Sequence, residues 1–200
     1  FLNPERYKIC KEEKFSTSSI NSYFKEIKLD FVKIDTEGYA LEILKGADKK
    51  FNSILGLEIE VEFFNLRENQ PLFNEISEFL KKYEYEFIDF INIIRWERNN
   101  FRFTGQPQVA DVLFLKKPEI IINTYLDNQF SKENLLKYIT ILVVFNRPDL
   151  IDLIINKIDK ETVDKYFLKE IYFLTEKKVK RLNKAIYLSD TIKKIINYDI

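Results

Sequence analysis

The sequence predicts an α/β fold followed by a helical extension, and three stretches of the chain carry this prediction. Residues 29–47 (LDFVKIDTEGYALEILKGA) begin as an apolar run, break at a polar turn and continue with helical periodicity. Residues 54–63 alternate apolar and acidic side chains, which is typical of a strand with one buried face. From Pro118 onward the apolar residues recur only at helical spacing. We therefore expect an α/β domain in residues 1–117 and an all-helical extension in residues 118–200.

The first apolar run, residues 29–34, predicts a strand of a parallel sheet that helices cover on both faces. A polar turn follows at residues 35–38, and residues 39–45 carry the apolar face of a helix. Gly46 stands where a left-handed cap would end that helix. Ligands of such sheets bind beyond the carboxyl ends of the strands, so the polar turn is the first place to expect a functional site.

The second strand, residues 54–63, places three glutamates on its polar face. Because like charges repel, that face must meet solvent, cations or hydrogen-bond donors. Gln70-Pro71 predicts the start of the next helix, since proline suits the first helical position. Residues 85–94 and 111–115 are rich in β-branched and aromatic side chains, and no helix separates them. They predict an antiparallel hairpin at the edge of the sheet.

Composition excludes several classes of protein. The net charge of zero gives no reason to expect nucleic acid or an anionic membrane as a partner. Cys10 is the sole cysteine, which excludes an internal disulfide framework and favours a reducing cytoplasm. The absence of histidine excludes serine–histidine triads, histidine-bound zinc and histidine bases. No apolar run reaches the ~18 residues that a membrane span needs.

Residues 30–117 resemble the C-terminal half of FkbM-type methyltransferases, which transfer a methyl group from S-adenosylmethionine to hydroxyls of sugars, polyketides or related compounds. The matching pieces keep the family's order and spacing: DFVKIDTEG (30–38), LEILKGA (41–47), ILGLEIEVEF (54–63), QPLF (70–73), and GQ (105–106) followed by ADVLFL (110–115). The resemblance implies a partial class I methyltransferase sheet, which is Rossmann-like, with residues 29–34 as its fourth strand and residues 54–63 as its fifth. The antiparallel edge hairpin would supply the last two strands.

The chain also departs from this family. Arg67 and Asn69 stand where the family has a tyrosine and a glycine before QPLF. Family members also carry an upstream glycine-rich turn and an acidic residue that bind S-adenosylmethionine. None of the four glycines here is paired as G-x-G, and only residues 1–28 precede the fourth strand. We therefore expect the cofactor loop to lie outside this chain. The chain would then be a fragment or a truncated relative of such an enzyme.

Asp35 and Glu37, in the polar turn, are the first candidate catalytic residues. The resemblance implies that Asp35 lies beside the methyl donor, where it orients or deprotonates an acceptor hydroxyl. Alternatively its carboxylate caps the following helix. Glu37 in the same turn either contributes to catalysis or is a favourable charge in the first turn of that helix.

Glu60 and Glu62, nearest the carboxyl end of the second strand, would reach the same cleft as Asp35. Clustered carboxylates raise the pKa of one member toward the range of a general base, or bind a divalent cation. The alternative is a solvated strand face or salt bridges to Lys33. We assign Glu60 to catalysis and Glu62 to substrate binding, and we assign no metal ligands.

Trp96 is the second candidate substrate-binding residue, on the rim of the hairpin with Arg95 and Arg98. Aromatic and guanidinium groups there could stack on a sugar, or could cover the edge of the sheet.

The expected function is a cytoplasmic, S-adenosylmethionine-dependent O-methyltransferase that acts on a hydroxyl of a saccharide or similar small acceptor. Two alternatives remain open. A truncated, non-catalytic relative would serve as an interaction module, with a protein partner or self-association through residues 118–200. A metal-dependent hydrolase would use Asp35, Glu37, Glu60 and Glu62.

Overall fold

The computed structural model describes residues 8, 10–97 and 105–158. It is a mixed α/β structure with a four-stranded sheet, and the chain divides into two compact units, residues 1–117 and 118–200. The elements of the first unit are α1 (Ile20–Tyr23), β1 (Phe31–Ile34), α2 (Ala40–Lys45), a 3-10 turn (Asp48–Lys50), β2 (Gly56–Glu62), α3 (Phe73–Lys81), β3 (Tyr85–Trp96) and β4 (Gln106–Lys116).

The strands lie in the order β1-β2-β4-β3. β1 and β2 are parallel, and Ile34 lies beside Ile59. β4 is antiparallel to both of its neighbours, β2 and β3. The predicted parallel pair and the antiparallel edge hairpin are therefore confirmed. Because β3 runs in the same direction as β1 and β2, the carboxyl ends of all three strands lie at the same end of the sheet.

The hydrophobic core lies on one face of this sheet, under α2 and α3. Its most buried side chains come from both helices and from all four strands, and the apolar ones include Ile34, Leu44, Ile59, Val61, Ile76, Leu80 and Val112. Tyr85 is fully buried there, and its hydroxyl donates a hydrogen bond to the Ile54 carbonyl at 2.6 Å. Strand alternation thus sends the side chains of Glu58, Glu60 and Glu62 to the opposite face.

The prediction that the first strand is buried on both faces is wrong. β1 has only four residues, and Lys33 in it is exposed. Only Ile34 of this strand is fully buried. The apolar run was long enough for a buried strand, but its lysine alternates onto the polar face, beside Glu58 of β2.

Two helix boundaries also differ from the prediction. Gly46 has φ −76°, which is right-handed, because the chain continues into the 3-10 turn instead of reversing. α3 begins at Phe73, where the Glu75 carboxylate accepts a hydrogen bond from the Leu72 N–H at 2.9 Å. Gln70 and the proline after it therefore belong to the loop before α3.

The second unit contains three helices in its described part, α4 (Pro118–Leu126), α5 (Lys132–Val144) and α6 (Pro148–Lys157). The helical spacing predicted from Pro118 onward agrees with these three helices, in which Leu135, Ile139 and Leu142 of α5 are buried and Pro148 begins α6. The rest of the predicted helical extension, residues 159–200, lies outside the described residues. None of the helices in the described ranges has the length and apolar character to cross a membrane.

Candidate functional site

The acidic residues singled out from the sequence meet where β1 and β2 end. Asp35 follows Ile34, the last paired residue of β1, and Ile34 lies beside Ile59, the residue before Glu60 of β2. Across the other side of β2, Glu60 pairs with Asp111 of β4. Burial raises the pKa of the Glu60 carboxyl, and the negative charges of Asp35, Glu37 and Asp111 raise it further. The structure thus brings Asp35, Glu37 and Glu60 into one electrostatic cluster.

Glu62 ends β2 and is only 2% exposed. Its Oε2 atom has no hydrogen-bond partner among the described residues. Burial raises the pKa of this carboxyl to about 7, the charge of Glu60 adds to the rise, and the guanidinium of Arg67 opposes it. Glu62 therefore changes protonation state near neutral pH, which suits a group that accepts a proton from a hydroxyl.

Glu58, on the same face of the same strand, has a different environment. Its Oε1 atom lies 2.7 Å from the Nζ atom of Lys33 on β1. The hydrogen bond with Glu58 raises the pKa of the Lys33 ammonium. The salt-bridge alternative for the glutamates is thus correct for Glu58, whereas Glu62 is buried without such a partner.

The helix-capping interpretations of Asp35 and Glu37 are wrong. α2 begins only at Ala40, and its N-cap residue is Tyr39, whose side chain makes no capping hydrogen bond. The acidic residue in the first helical turn is Glu42. Both candidate residues therefore lie in the turn between β1 and α2, where they are exposed at the carboxyl end of β1.

Glu37 is joined to the loop that follows β2. Its Oε2 atom accepts a hydrogen bond from the Arg67 guanidinium at 2.8 Å. Glu37 also has φ 53°, in the left-handed region that non-glycine residues rarely adopt. The ion pair therefore accompanies a strained backbone and ties two loops together beside the carboxylates. In the sequence, Arg67 stands out only as a departure from the family, and nothing there indicates this contact over 30 residues.

Gln70 is the second residue of the site that sequence reasoning missed. It is 5% exposed, and its Oε1 atom accepts hydrogen bonds from the backbone N–H groups of Leu66 at 3.0 Å and Arg67 at 3.1 Å. Gly38 has φ 93°, and a Cβ atom there would lie 2.5 Å from Gln70 Nε2. This turn therefore requires glycine at position 38, which packs against Gln70. The QPLF motif was the available signal, but we assigned Gln70 to a helix start.

A shallow depression of about 480 Å³ opens at the surface of the loop after β2, lined by Asn65, Leu66, Arg67, Glu68 and Asn69.

Trp96, at the end of β3, packs its ring 6.1 Å from that of Phe64, which follows β2. The Trp96 side chain therefore lies at the end of the sheet where β2 and β3 end, and the residue is 38% exposed. Arg95 donates to the Gly105 carbonyl at 2.9 Å and so closes the hairpin, while Arg98 lies outside the described residues.

The described residues do not fit a cradle for S-adenosylmethionine. A cofactor approaches the backbone closely only where a glycine leaves open space. A Cβ atom would lie 2.5 Å from side chains at Gly38 and Gly56 and 3.1 Å from Ser19 at Gly46, and at Gly105 it would collide with the Trp96 backbone. All four glycines are therefore packed against the protein itself.

A divalent cation finds no site in the described ranges either. No group of three or more cysteine or acidic side chains there has the geometry to hold a metal ion. The metal-dependent hydrolase therefore gains no support from this part of the chain. The arrangement suits a neutral group that can donate a hydrogen bond to a carboxylate, such as a hydroxyl.

Comparison with known proteins identifies one family. Residues 3–87 match the family model described as the methyltransferase FkbM domain, which confirms the resemblance seen in the sequence. The match includes β1, β2, α3 and all the site residues from Asp35 to Gln70. It ends at the start of β3, so Trp96 and the motif in β4 lie beyond it. No curated protein and no solved structure matches the chain.

Proposed function

From the match of residues 3–87 to the FkbM methyltransferase domain, we propose that this chain forms the acceptor side of an S-adenosylmethionine-dependent O-methyltransferase. The acceptor is a small hydroxylated molecule, of which a saccharide is the leading class. The observation that carries the proposal is Glu62: a nearly fully buried carboxylate, with a pKa of about 7 and an unpartnered Oε2 atom, at the end of β2.

The proposed roles follow from position and charge. Glu62 accepts the proton of the acceptor hydroxyl, because a base with a pKa near the working pH transfers protons most efficiently. The charge of Glu60 raises the pKa of Glu62, and the charge of Asp35 raises that of Glu60, so both favour the protonated form of the cluster once the proton has arrived. The ion pair of Glu37 holds the two loops in place, so its role is positioning.

Trp96 is proposed to stack on the saccharide. Its exposed ring lies at the edge where the strands end, and sugar rings present an apolar face to aromatic side chains. The described residues supply no cradle for the methyl donor, so their part in the reaction is confined to the acceptor. They bind it, orient it and take its proton, which contributes proximity and general base catalysis.

The rest of the proposal concerns the whole chain. Residues 1–117 belong to a Rossmann-like sheet of the class I methyltransferase type, for which the parallel β1–β2 pair and the antiparallel edge hairpin are the support. In the second unit, the described helices α4, α5 and α6 suit a protein partner or self-association. The neutral charge and single cysteine support a cytoplasmic location.

The test uses the full product of the gene. It is incubated with S-adenosylmethionine that carries an isotopically labelled methyl group and with a panel of methyl glycosides, and the products are analysed by mass spectrometry. We expect a labelled methyl ether on one class of saccharide, and its loss in Asp35→Asn and Glu62→Gln. Calorimetry measures binding of S-adenosylmethionine in parallel. Absence of both donor binding and transfer would overturn the proposal in favour of a non-catalytic interaction module.

A further inference from the structure

The buried amide of Gln70 is held in one orientation by the loop after β2. The residue is only 5% exposed. Its Oε1 atom accepts hydrogen bonds from the backbone N–H groups of Leu66 at 3.0 Å and Arg67 at 3.1 Å. Its backbone carbonyl accepts a third, from Nδ2 of Asn65, at 3.2 Å. Because two N–H donors fix the oxygen end of the amide, its NH₂ end must point away from this loop.

The NH₂ end of Gln70 meets two other segments of the chain. A Cβ atom at Gly38 would lie 2.5 Å from Nε2, so the turn after β1 packs directly against the amide. The same side chain donates a hydrogen bond to the carboxylate of Glu62, the last residue of β2. Glu62 is 2% exposed, so donors from the protein must replace the water that its carboxylate has lost. Gln70 thus connects two loops with the end of β2.

We propose that Gln70 is a positioning residue for Glu62, whose loop-anchored amide holds the carboxylate in one orientation and favours its charged form. Gln70 acts through Glu62 and needs no contact of its own with an acceptor. Because the amide also packs against Gly38, it aligns the turn that bears Asp35 and Glu37 with the end of β2. The catalytic part of this inference rests on the proposed function, whereas the contact between the two side chains does not.

The charges around Glu62 show what the amide opposes. Burial raises the pKa of this carboxyl most, and the negative charges of Glu60 and Glu37 raise it further. Arg67 and Gln70 act in the opposite direction. The Arg67 side chain is more than a third exposed and already paired with Glu37, so salt screens its charge. The contribution of the buried amide persists at any ionic strength.

A neutral donor suits this position better than a charged or an apolar group. A lysine or arginine in direct contact would keep the Glu62 carboxylate ionised and make it a weak base. A hydrocarbon would leave burial unopposed, so that the group would already carry a proton at neutral pH and could not accept another. The amide lies between these cases, and it leaves the pKa near the range in which a general base is most efficient.

Two substitutions at position 70 test the inference, each with a matched control at Gln108. Gln70→Met removes the amide and keeps the length of the side chain. Gln108 precedes Val109, the partner of Glu62 in β4, and strand alternation places its side chain on the opposite face of the sheet. Gln108→Met is therefore the control. Should Gln70→Met fail to fold, Gln70→Glu retains an oxygen for the two N–H groups of the loop, with Gln108→Glu as the control for added charge.

Carboxyl carbon shifts followed by NMR against pH measure the protonation of Glu62 in the full-length protein, and Glu62→Gln identifies its signal. In Gln70→Met, the midpoint for Glu62 should lie about one pH unit above that of wild type, because a hydrogen bond to a charged group contributes about that much. Gln70→Glu should raise it at least as far, and both Gln108 variants should stay close to wild type. The pH midpoint of methyl transfer should move in parallel, with kcat affected more than KM.

A Glu62 midpoint that is the same in Gln70→Met and Gln108→Met, or in Gln70→Glu and Gln108→Glu, would overturn the inference. A residue that only anchors the loop would lower the free energy of unfolding when replaced and leave this titration unchanged. The titration needs neither methyl donor nor acceptor. Methyl transfer with an unmoved midpoint therefore overturns the inference and leaves the proposed function standing, whereas a raised midpoint without any methyl transfer upholds the positioning of Glu62 and overturns the proposed function.

Discussion

The carboxylate of Glu37 and the guanidinium of Arg67 lie 2.8 Å apart and connect the turn after β1 with the loop after β2. These are the two loops that follow the carboxyl ends of the parallel strands, where ligands of α/β sheets bind. Arg67 also lowers the pKa of both Glu60 and Glu62. One arginine thus couples the geometry of the loops to the protonation of the buried carboxylates.

The first prediction concerns that arginine. In Arg67→Met, the pKa of Glu62 should rise above 7 and that of Glu60 should rise with it, because the opposing positive charge is gone. The free energy of unfolding should change by less than about 1 kcal/mol, since both partners of the ion pair are more than a third exposed. Carboxyl carbon shifts followed by NMR against pH measure the pKa values. Arg95→Met is the control and should leave both unchanged.

The second prediction follows from burial of the Glu62 carboxyl. Its pKa is about 7 in the folded protein and about 4.5 in the unfolded chain, so the folded state binds more protons between these values. Stability should therefore fall as the pH rises from about 4.5 to 7. Glu62→Gln removes this loss and should be more stable than wild type by up to about 3 kcal/mol at pH 8, and by little at pH 4.

Urea unfolding at the two pH values checks this result. The matched control is Glu58→Gln, on the same face of β2, where the lost salt bridge with Lys33 should cost less than about 1 kcal/mol. A Glu62→Gln protein that is equally destabilised at both pH values would contradict the assignment of a buried, unpartnered carboxylate.

The third prediction concerns the contact between Gly38 and Gln70. Gly38→Ala should lower the free energy of unfolding by about 1–3 kcal/mol, because φ is 93° and the new Cβ meets the Gln70 amide at 2.5 Å. In a Gln70→Ala background the collision disappears and only the backbone strain remains, so the cost should be smaller. Gly46→Ala, at φ −76°, should cost less than Gly38→Ala. Equal costs at the two glycines would contradict the close packing of Gln70.

The fourth prediction uses the single tryptophan of the chain. A saccharide that stacks on Trp96 should change its fluorescence in a saturable titration, because the ring is 38% exposed and lies at the edge of the site. Trp96→Phe should raise KM for the saccharide only a few-fold, and Trp96→Ala should raise it more, with kcat less affected in both. A titration that changes activity but not fluorescence would place the acceptor elsewhere.

Much of the fold could be predicted because it depends on local patterns. The apolar run in β1 and the alternation in β2 gave the parallel pair, and two strands without a helix between them gave the hairpin. The family resemblance, carried by DFVKIDTEG and QPLF, was confirmed over residues 3–87. The charge of Asp35 acts on Glu60, as expected for the residues that follow the paired Ile34 and Ile59.

The features of the site that could not be predicted from the sequence depend on contacts between residues that are far apart in the chain. Glu58 and Glu62 look equivalent in the alternating strand, yet only Glu58 has Lys33 beside it, at a separation of 25 residues. Gln70 looked like the start of a helix because a proline follows it. Its actual role depends on Gly38, which belongs to a different loop and leaves space for its amide.

The most direct test of the proposed acceptor site around Glu60 and Glu62 compares Glu62→Gln with Glu58→Gln in the methyl-transfer assay. Both substitutions remove a carboxylate from the same face of β2, but only one removes the proposed proton acceptor. We expect the wild-type and Glu58→Gln rates to rise with pH around a midpoint near 7, and Glu62→Gln to lose activity by about 10²-fold or more without that midpoint. A Glu62→Gln enzyme with the rate and pH profile of wild type would contradict the proposal.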